Sequence, residues 1–254
     1  MTRKDILDIG NITHGRIHRQ TVFADFLAMS ACTISNCFDS VHHQQRKERL
    51  ETLLQTYRPE EKAQLSGSLK ALVNQIRENV ERDLFEDLLG PAFMDLRLAN
   101  KGQDFTPWDI CKLIARITAL DLQTLPDCGY FTLDEPACGA CGMVLAMAEQ
   151  IQDAGMNPTR HLAVRTEDLD IRCVWMPYIQ LSLYGIPALV IHSNTRSLKE
   201  FDRWYTPAYL LGNWVWREPM PFEAGKNQDN ELLKMASNPT YRAIRLLQGG
   251  ACDG

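Results

Sequence analysis

From residue 20 to residue 100 the apolar side chains recur every three or four positions. Val22, Phe23, Phe26, Leu27, Met29 and Ile34 share one repeating face, and Leu50, Leu53 and Leu54 continue it. Between Lys62 and Met94 the same spacing carries Leu65, Leu69, Leu72, Val73, Ile76, Val80, Leu84, Phe85, Leu88 and Leu89. A period near 3.6 without β-branched runs predicts helix throughout this stretch. Residues 1–100 therefore read as a helical N-terminal region.

Beyond it the pattern changes. A loop at Lys101-Gly102-Gln103-Asp104-Phe105 leads to Thr106-Pro107-Trp108-Asp109. Threonine before proline is a good helix start, with Thr106 as cap and Pro107 in the first turn, ahead of Ile110 to Ile117. Short apolar runs at 130–134, 161–166 and 188–192 then read as strands. Helices are predicted between them, at about 142–153 and, with an internal proline, over Ile171 to Tyr184. Strands and helices alternating at this spacing imply a parallel sheet with crossover helices. After the third strand the signal weakens: Trp204, Tyr205, Trp214 and Trp216 mark an aromatic segment with a short strand expected at Asn213 to Arg217. Residues 219–230 are loop-like, and Glu231 to Leu247 read as a final helix. The expected division is thus 1–100 helical, 101–218 α/β core, and 219–254 loop and helix.

Composition narrows the function classes. The 254 residues are 45% hydrophobic and 23% charged, ordinary for a globular protein, and the net charge of -5 argues against a surface that is one polyanion footprint. The charged N-terminus is followed by no secretory core and no uncharged apolar run of membrane-spanning length is evident, so a cytoplasmic protein without membrane contact is expected. The eight cysteines are scattered through a chain long enough to bury a core, which favours reduced thiols.

The densest chemistry lies at Glu135-Pro136-Ala137-Cys138-Gly139-Ala140-Cys141-Gly142. It follows Tyr130-Phe131-Thr132-Leu133 and leads into Val144-Leu145-Ala146-Met147-Ala148, so a strand, a small-residue turn and a helix succeed one another. Such a turn offers backbone N–H groups to a nucleotide-like ligand at a helix start. A carboxylate at the strand end, Glu135, suits ligand hydroxyls or an ammonium, and Gly139 allows close backbone approach. The second strand ends in Glu167-Asp168-Leu169-Asp170, which puts an acid where nucleotide-binding sheets hold ribose hydroxyls. Asp168 is favoured, with Glu167 and Asp170 as near alternatives. Asn194, after the third strand, offers both a donor and an acceptor.

In order along the chain these blocks resemble the N6-adenine DNA methylase family, the fold of type I restriction-modification methylase subunits. Asp87-Leu88-Leu89-Gly90 is similar to the family's segment before the cofactor loop. Gly102-Gln103-Asp104-Phe105-Thr106-Pro107 is similar to its Gly-Gln-Phe-Phe-Thr-Pro loop, and Glu135 through Gly142 to its Asp/Glu-Pro-x-Cys-Gly-Ser-Gly-Gly turn. Asp168-Leu169-Asp170 and His192-Ser193-Asn194-Thr195 resemble the ribose-binding acid and the adenine-edge residue. The resemblance implies a Rossmann-like S-adenosylmethionine-dependent methyltransferase core behind an N-terminal helical region. It implies S-adenosylmethionine as cofactor, held by Phe105, Thr106, Glu135, Ala137, Gly139, Asp168 and Asn194. Phe105 would cover the cofactor and Thr106 bond its carboxylate. DNA methylation, with DNA as substrate and a specificity subunit or second copy as partner, is the implied setting.

The chain also departs from that pattern. Ala140 and Cys141 replace the serine and a glycine of the turn, removing a hydroxyl and adding a side chain beside the ligand. The family's Asn-Pro-Pro-aromatic block, which holds the target amine and stacks on the flipped base, is missing. The nearest string is Asn238-Pro239-Thr240-Tyr241, whose Asn238 and Tyr241 are the weak catalytic candidates and which also reads as a helix start. The sheet is accordingly expected to be incomplete, and the alternative is a catalytically inactive methyltransferase-fold protein that binds DNA, regulates or docks a partner.

Other constellations carry less. Cys138 and Cys141 have the internal spacing of half a zinc knuckle without a second pair, so no metal is expected. Trp204, Tyr205, Trp214 and Trp216, near Arg196, Lys199, Arg203 and Arg217, fit either a base-stacking surface or ordinary packing.

Overall fold

The helical periodicity of the first hundred residues resolves into separate helices in the computed structural model, which describes residues 3–99, 103–119, 125–214 and 217. These are α1 (Arg3–Asp8), α2 (Arg19–Phe38), α3 (His43–Gln55), α4 (Pro59–Glu81) and α5 (Gly90–Asp95), with a single 3-10 turn at Ile9–Asn11. The apolar spacing from Leu65 to Leu89 does not stay helical to its end. Helix α4 stops at Glu81 because Asp83 takes a left-handed conformation (φ 57°), and the Leu84 and Asp83 amides turn back to the carbonyls of Asn79 and Val80. Those two hydrogen bonds close the helix end on its own orphan carbonyls.

Helix α2 reaches the length and mean hydropathy of a membrane-spanning helix, which the sequence reading had discounted. Burial accounts for it: Val22, Phe23, Phe26 and Leu27 lie in the protein core, and α2 packs against α3 and a helix of the α/β part.

The rest comprises α6 (Trp108–Thr118), β1 (Phe131–Glu135), α7 (Gly142–Asp153), α8 (Pro158–His161), β2 (Leu162–Asp168), α9 (Arg172–Leu183), β3 (Ala188–Asn194), β4 (Lys199–Tyr205) and α10 (Pro207–Leu211). The sheet order is β1-β2-β3-β4, with β1, β2 and β3 parallel and β4 antiparallel to β3. This is the α/β, Rossmann-like arrangement expected, with α7 and α9 as crossover helices. The parallel strands were predicted within a few residues of their positions; β4 was not. Its sequence, Lys-Glu-Phe-Asp-Arg-Trp-Tyr, is charged over most of its length, as edge strands are when they guard against edge-to-edge pairing. The strand expected at Asn213 to Arg217 is not formed in its described part: Asn213 and Trp214 lie in a turn and a 3-10 residue after α10. Thr106 does not cap α6; Pro107 is the cap residue, its extended backbone (ψ 143°) starting the helix one position later than expected.

One continuous core runs from Ile6 through α2, α7 and α9 to Trp204, and it covers one face of the sheet. A smaller cluster, Tyr130, Ala163, Leu189, Ile191, Tyr205, Tyr209, Leu210 and Trp214, covers part of the other. The aromatic segment is thereby placed. Trp204, Tyr205 and Trp214 are buried, so packing rather than base stacking explains them; Trp216 lies outside the described residues. Trp204 lies 5.1 Å from the Tyr178 ring, with the Arg46 guanidinium 3.9 Å above it. Arg46 is itself buried, bonding Ser35, the Arg203 carbonyl and, at 2.7 Å, Asp39. Of the nearby cations, Arg203 pairs with Glu200, and Arg217 stacks 3.6 Å from Trp214.

Candidate cofactor-binding turn

β1 ends at Glu135 and α7 begins at Gly142, so the six residues between them reverse the chain at the carboxyl edge of the parallel sheet. Two of them take positive φ, Gly139 at 54° and Cys141 at 65°. Cys141 is the cap residue of α7, and its amide donates to the Cys138 carbonyl at 2.7 Å. The departure at this position is thus accommodated by turning the side chain inward, where Cys141 is fully buried. Burial pushes the thiols of Cys138 and Cys141 well above their usual range, so both stay protonated.

The turn is fastened from below. Gln180, buried in the middle of α9, donates from Nε2 to the Ala140 carbonyl at 2.9 Å and to Asp87 Oδ1 at 3.0 Å. Its Oε1 accepts the Leu88 amide at 2.8 Å, and Asp87 also accepts the Gly90 amide at 2.8 Å. A Cβ at residue 90 would lie 2.2 Å from Asp87 Oδ2 and 2.7 Å from the Ala140 Cβ, so only glycine lets the Asp87–Gly90 segment sit beneath the turn. Burial raises the Asp87 carboxyl to about 6 despite hydrogen bonds from Gly90, Gln180 and Leu89. Gln180 escaped the sequence reading. The available signal was a carboxamide inside the otherwise apolar stretch Val174 to Leu181.

Above the turn lies Phe105. A Cβ on Gly139 would meet the Phe105 ring at 3.0 Å, and the ring stacks on Phe93 with centroids 5.3 Å apart and planes 13° from parallel. Arg172 reaches over the Phe93 ring at 5.1 Å while forking onto Asp170. Gln103, from the loop before α6, donates to the Cys173 sulfur at 3.1 Å.

The three acids at the end of β2 and just beyond it separate by partner. Glu167 is buried and accepts the Ser193 hydroxyl at 2.5 Å. Asp170 is held by Arg172, which keeps its carboxyl low against the upward push of burial. Asp168 faces the turn: Oδ2 accepts the Gly139 amide at 3.1 Å and Oδ1 the Asp170 amide at 2.9 Å. Burial raises its carboxyl above the ordinary value, with hydrogen bonds from Asp170 and Gly139 opposing.

Phe105, Gly139 and Asp168 are therefore in mutual contact through Gly139, and Glu135 accepts the Ala137 amide at 3.3 Å at the mouth of the same turn. Two further expected residues make local bonds of their own. The Asn194 side-chain oxygen accepts the Arg196 and Ser197 amides at 3.1 and 3.2 Å, closing the β3–β4 hairpin. Thr106 is exposed, and its carbonyl takes the Cys111 thiol. Asn238 and Tyr241 lie outside the described residues.

No protein-family model matches this chain, and no curated protein does. Among solved structures, it is similar to a Listeria monocytogenes protein whose assignment as a class I S-adenosylmethionine-dependent methyltransferase is itself provisional. The two are 10% identical over 85% of this chain and 69% of that one, with a TM-score of 0.45.

Proposed function

We propose that the turn from Glu135 to Gly142 binds S-adenosylmethionine, and that the chain is a methyltransferase whose substrate is the N6 amine of adenine in DNA. The reading is carried by one observation, the Gly139 amide bonded to the Asp168 carboxylate at 3.1 Å. That bond brings a tight strand-to-helix turn and the acid of the neighbouring strand to one point at the carboxyl edge of a parallel sheet, where open α/β sheets take their ligands. The residues fit the cofactor. Asp168 has lone pairs left for ribose hydroxyls, Gly139 puts no side chain between its backbone and the Phe105 ring, and α7 directs its first N–H groups toward the turn. Glu135 is partly exposed at the strand end and suits an ammonium. When bound, the group supplies an electrophilic methyl on a sulfonium. The chain's part is to hold it, to shield it with Phe105 and to keep nearby thiols protonated and unreactive. The DNA-adenine substrate rests on the family resemblance of the motif order.

A second reading, an inactive relative that binds the cofactor or a partner, is favoured by β1. Thr132 and Asp134 are exposed, whereas a central parallel strand buries both faces. Among the described residues no strand lies beyond it.

Calorimetric titration with S-adenosylmethionine, followed by transfer of labelled methyl to adenine-containing DNA, separates these. Binding with transfer supports the first reading, and binding without transfer the second. Saturating cofactor without heat or thermal stabilisation would remove the first reading and leave only partner docking, and full binding by a Glu135→Ala, Asp168→Ala double variant would overturn the assignment of the site to this turn.

A further inference from the structure

Helix α6 is apolar on two sides. Cys111 and Ala115 face inward and are buried, Trp108 is partly covered, and Lys112 bonds Glu149 of α7 at 2.9 Å. The other side carries Ile110, Leu113, Ile114 and Ile117, which are 44, 54, 41 and 61% exposed. Their spacing of three, one and three puts all four on a single stripe, the pattern of a helix with a partner on that face. Isolated exposed leucines need no explanation; four branched aliphatics aligned over two turns do.

We propose that this stripe is the contact surface for a second copy of the chain, with the two α6 helices packed antiparallel about a two-fold axis. The charges decide the partner. Asp109 and Arg116 are exposed, seven residues apart, and therefore on the same flank of the stripe. When two helices meet antiparallel, each flank faces its own counterpart in reverse. Asp109 of one copy then lies beside Arg116 of the other, and the second pair forms by symmetry. Offset by about 3 Å along the axis, the same packing sets Ile110 against Ile117 and Leu113 against Ile114. A parallel pairing would turn that flank toward the partner's opposite flank, where neither charge meets its complement. The surface is thus self-complementary in one orientation only, and the opposed helix dipoles favour that same orientation.

The contact is small. An eleven-residue helix is about 16 Å long, so two such helices cover less than the roughly 800 Å² per partner of a standard stable interface. The dimer is accordingly concentration-dependent, with a dissociation constant on the order of micromolar.

Sedimentation of the full 254-residue chain from about 1 to 200 µM, a range bracketing that constant, tests this. The expected result is a monomer–dimer equilibrium that Leu113→Glu abolishes without lowering the melting temperature, since the side chain is already exposed. Asp109→Arg and Arg116→Asp, each turning two attractive pairs into repulsive ones, should weaken the dimer roughly tenfold or more. The two reversals together should restore it to within about threefold. A monomer at every concentration overturns the proposal. So does a dimer indifferent to Leu113→Glu, or single reversals that the double variant fails to rescue.

Discussion

The Gly139 amide donates to an Asp168 carboxylate oxygen at 3.1 Å, joining the turn after the first strand to the end of the second. Both partners sit in backbone positions that the sheet dictates. Gly139 adopts φ 54° in the reversal between β1 and α7, and Asp168 is the last residue of β2. The bond holds the turn in shape and leaves the remaining lone pairs of Asp168 at its edge, so the same carboxylate organises the loop and offers a hydroxyl acceptor beside it.

Gly139→Ala is expected to cost about 1–2 kcal/mol, because alanine is strained at positive φ and its methyl meets the Phe105 ring at 3.0 Å. Urea unfolding measures the loss. If the turn binds S-adenosylmethionine, affinity should fall more than tenfold in calorimetry, since Phe105 must then be displaced.

Gln180→Ala should destabilise the fold by about 2–4 kcal/mol. It leaves the Leu88 amide, the Ala140 carbonyl and part of Asp87 buried without their partner. Gln180→Glu would be no rescue, because a second carboxylate would face Asp87. Equilibrium denaturation of both variants checks the expectation, and a loss under 1 kcal/mol for Gln180→Ala would contradict it.

Asp87 gives the stability a pH dependence of definite sign. Burial raises its carboxyl from 3.8 to about 6, so the folded chain holds this proton more tightly than the unfolded chain. Its ionised form is a cost above about pH 6 that is relieved as the pH falls toward 4. The difference corresponds to roughly 3 kcal/mol. Measured against Asp87→Asn, whose side chain does not titrate, wild-type stability should gain by up to that amount between pH 7 and pH 4. Parallel stability curves for the two proteins would show that Asp87 does not titrate in this window.

Arg46→Ala is expected to be the most damaging of these changes, at about 3–5 kcal/mol. It strips the buried Asp39 of the Arg46 guanidinium, leaving the bonds from Val41 and His42, and removes that guanidinium from the Trp204 ring. Burial pushes the Asp39 carboxyl up, but bonds from His42 and the Arg46 charge outweigh it and hold the carboxyl below its ordinary value. Asp39 therefore contributes stability that is present above about pH 4 and lost as the pH falls through its folded value. The thermal midpoint of Arg46→Ala should drop accordingly, and Arg46→Lys should recover only part of it, since lysine cannot reproduce the forked contacts.

Local patterning was enough to reveal the helices up to Glu81, the three parallel strands and the small-residue turn, because each depends on periodicity or backbone sterics within a few residues. The same reasoning singled out Glu135, Gly139 and Asp168, whose positions follow from strand ends. It could not show that Asn194 closes a hairpin, because that depends on β4 folding back against β3, and β4 is too charged to announce itself as a strand. Nor could it tell whether Trp204 and Trp214 were surface or core: an indole looks the same in either place until the tertiary packing supplies Tyr178, Arg46 and Tyr130 as neighbours. The bracket of Asp87 and Gln180 joins residues 93 positions apart. Contacts of that range are created by the packing of α9 against the turn, and so tertiary structure alone decided them.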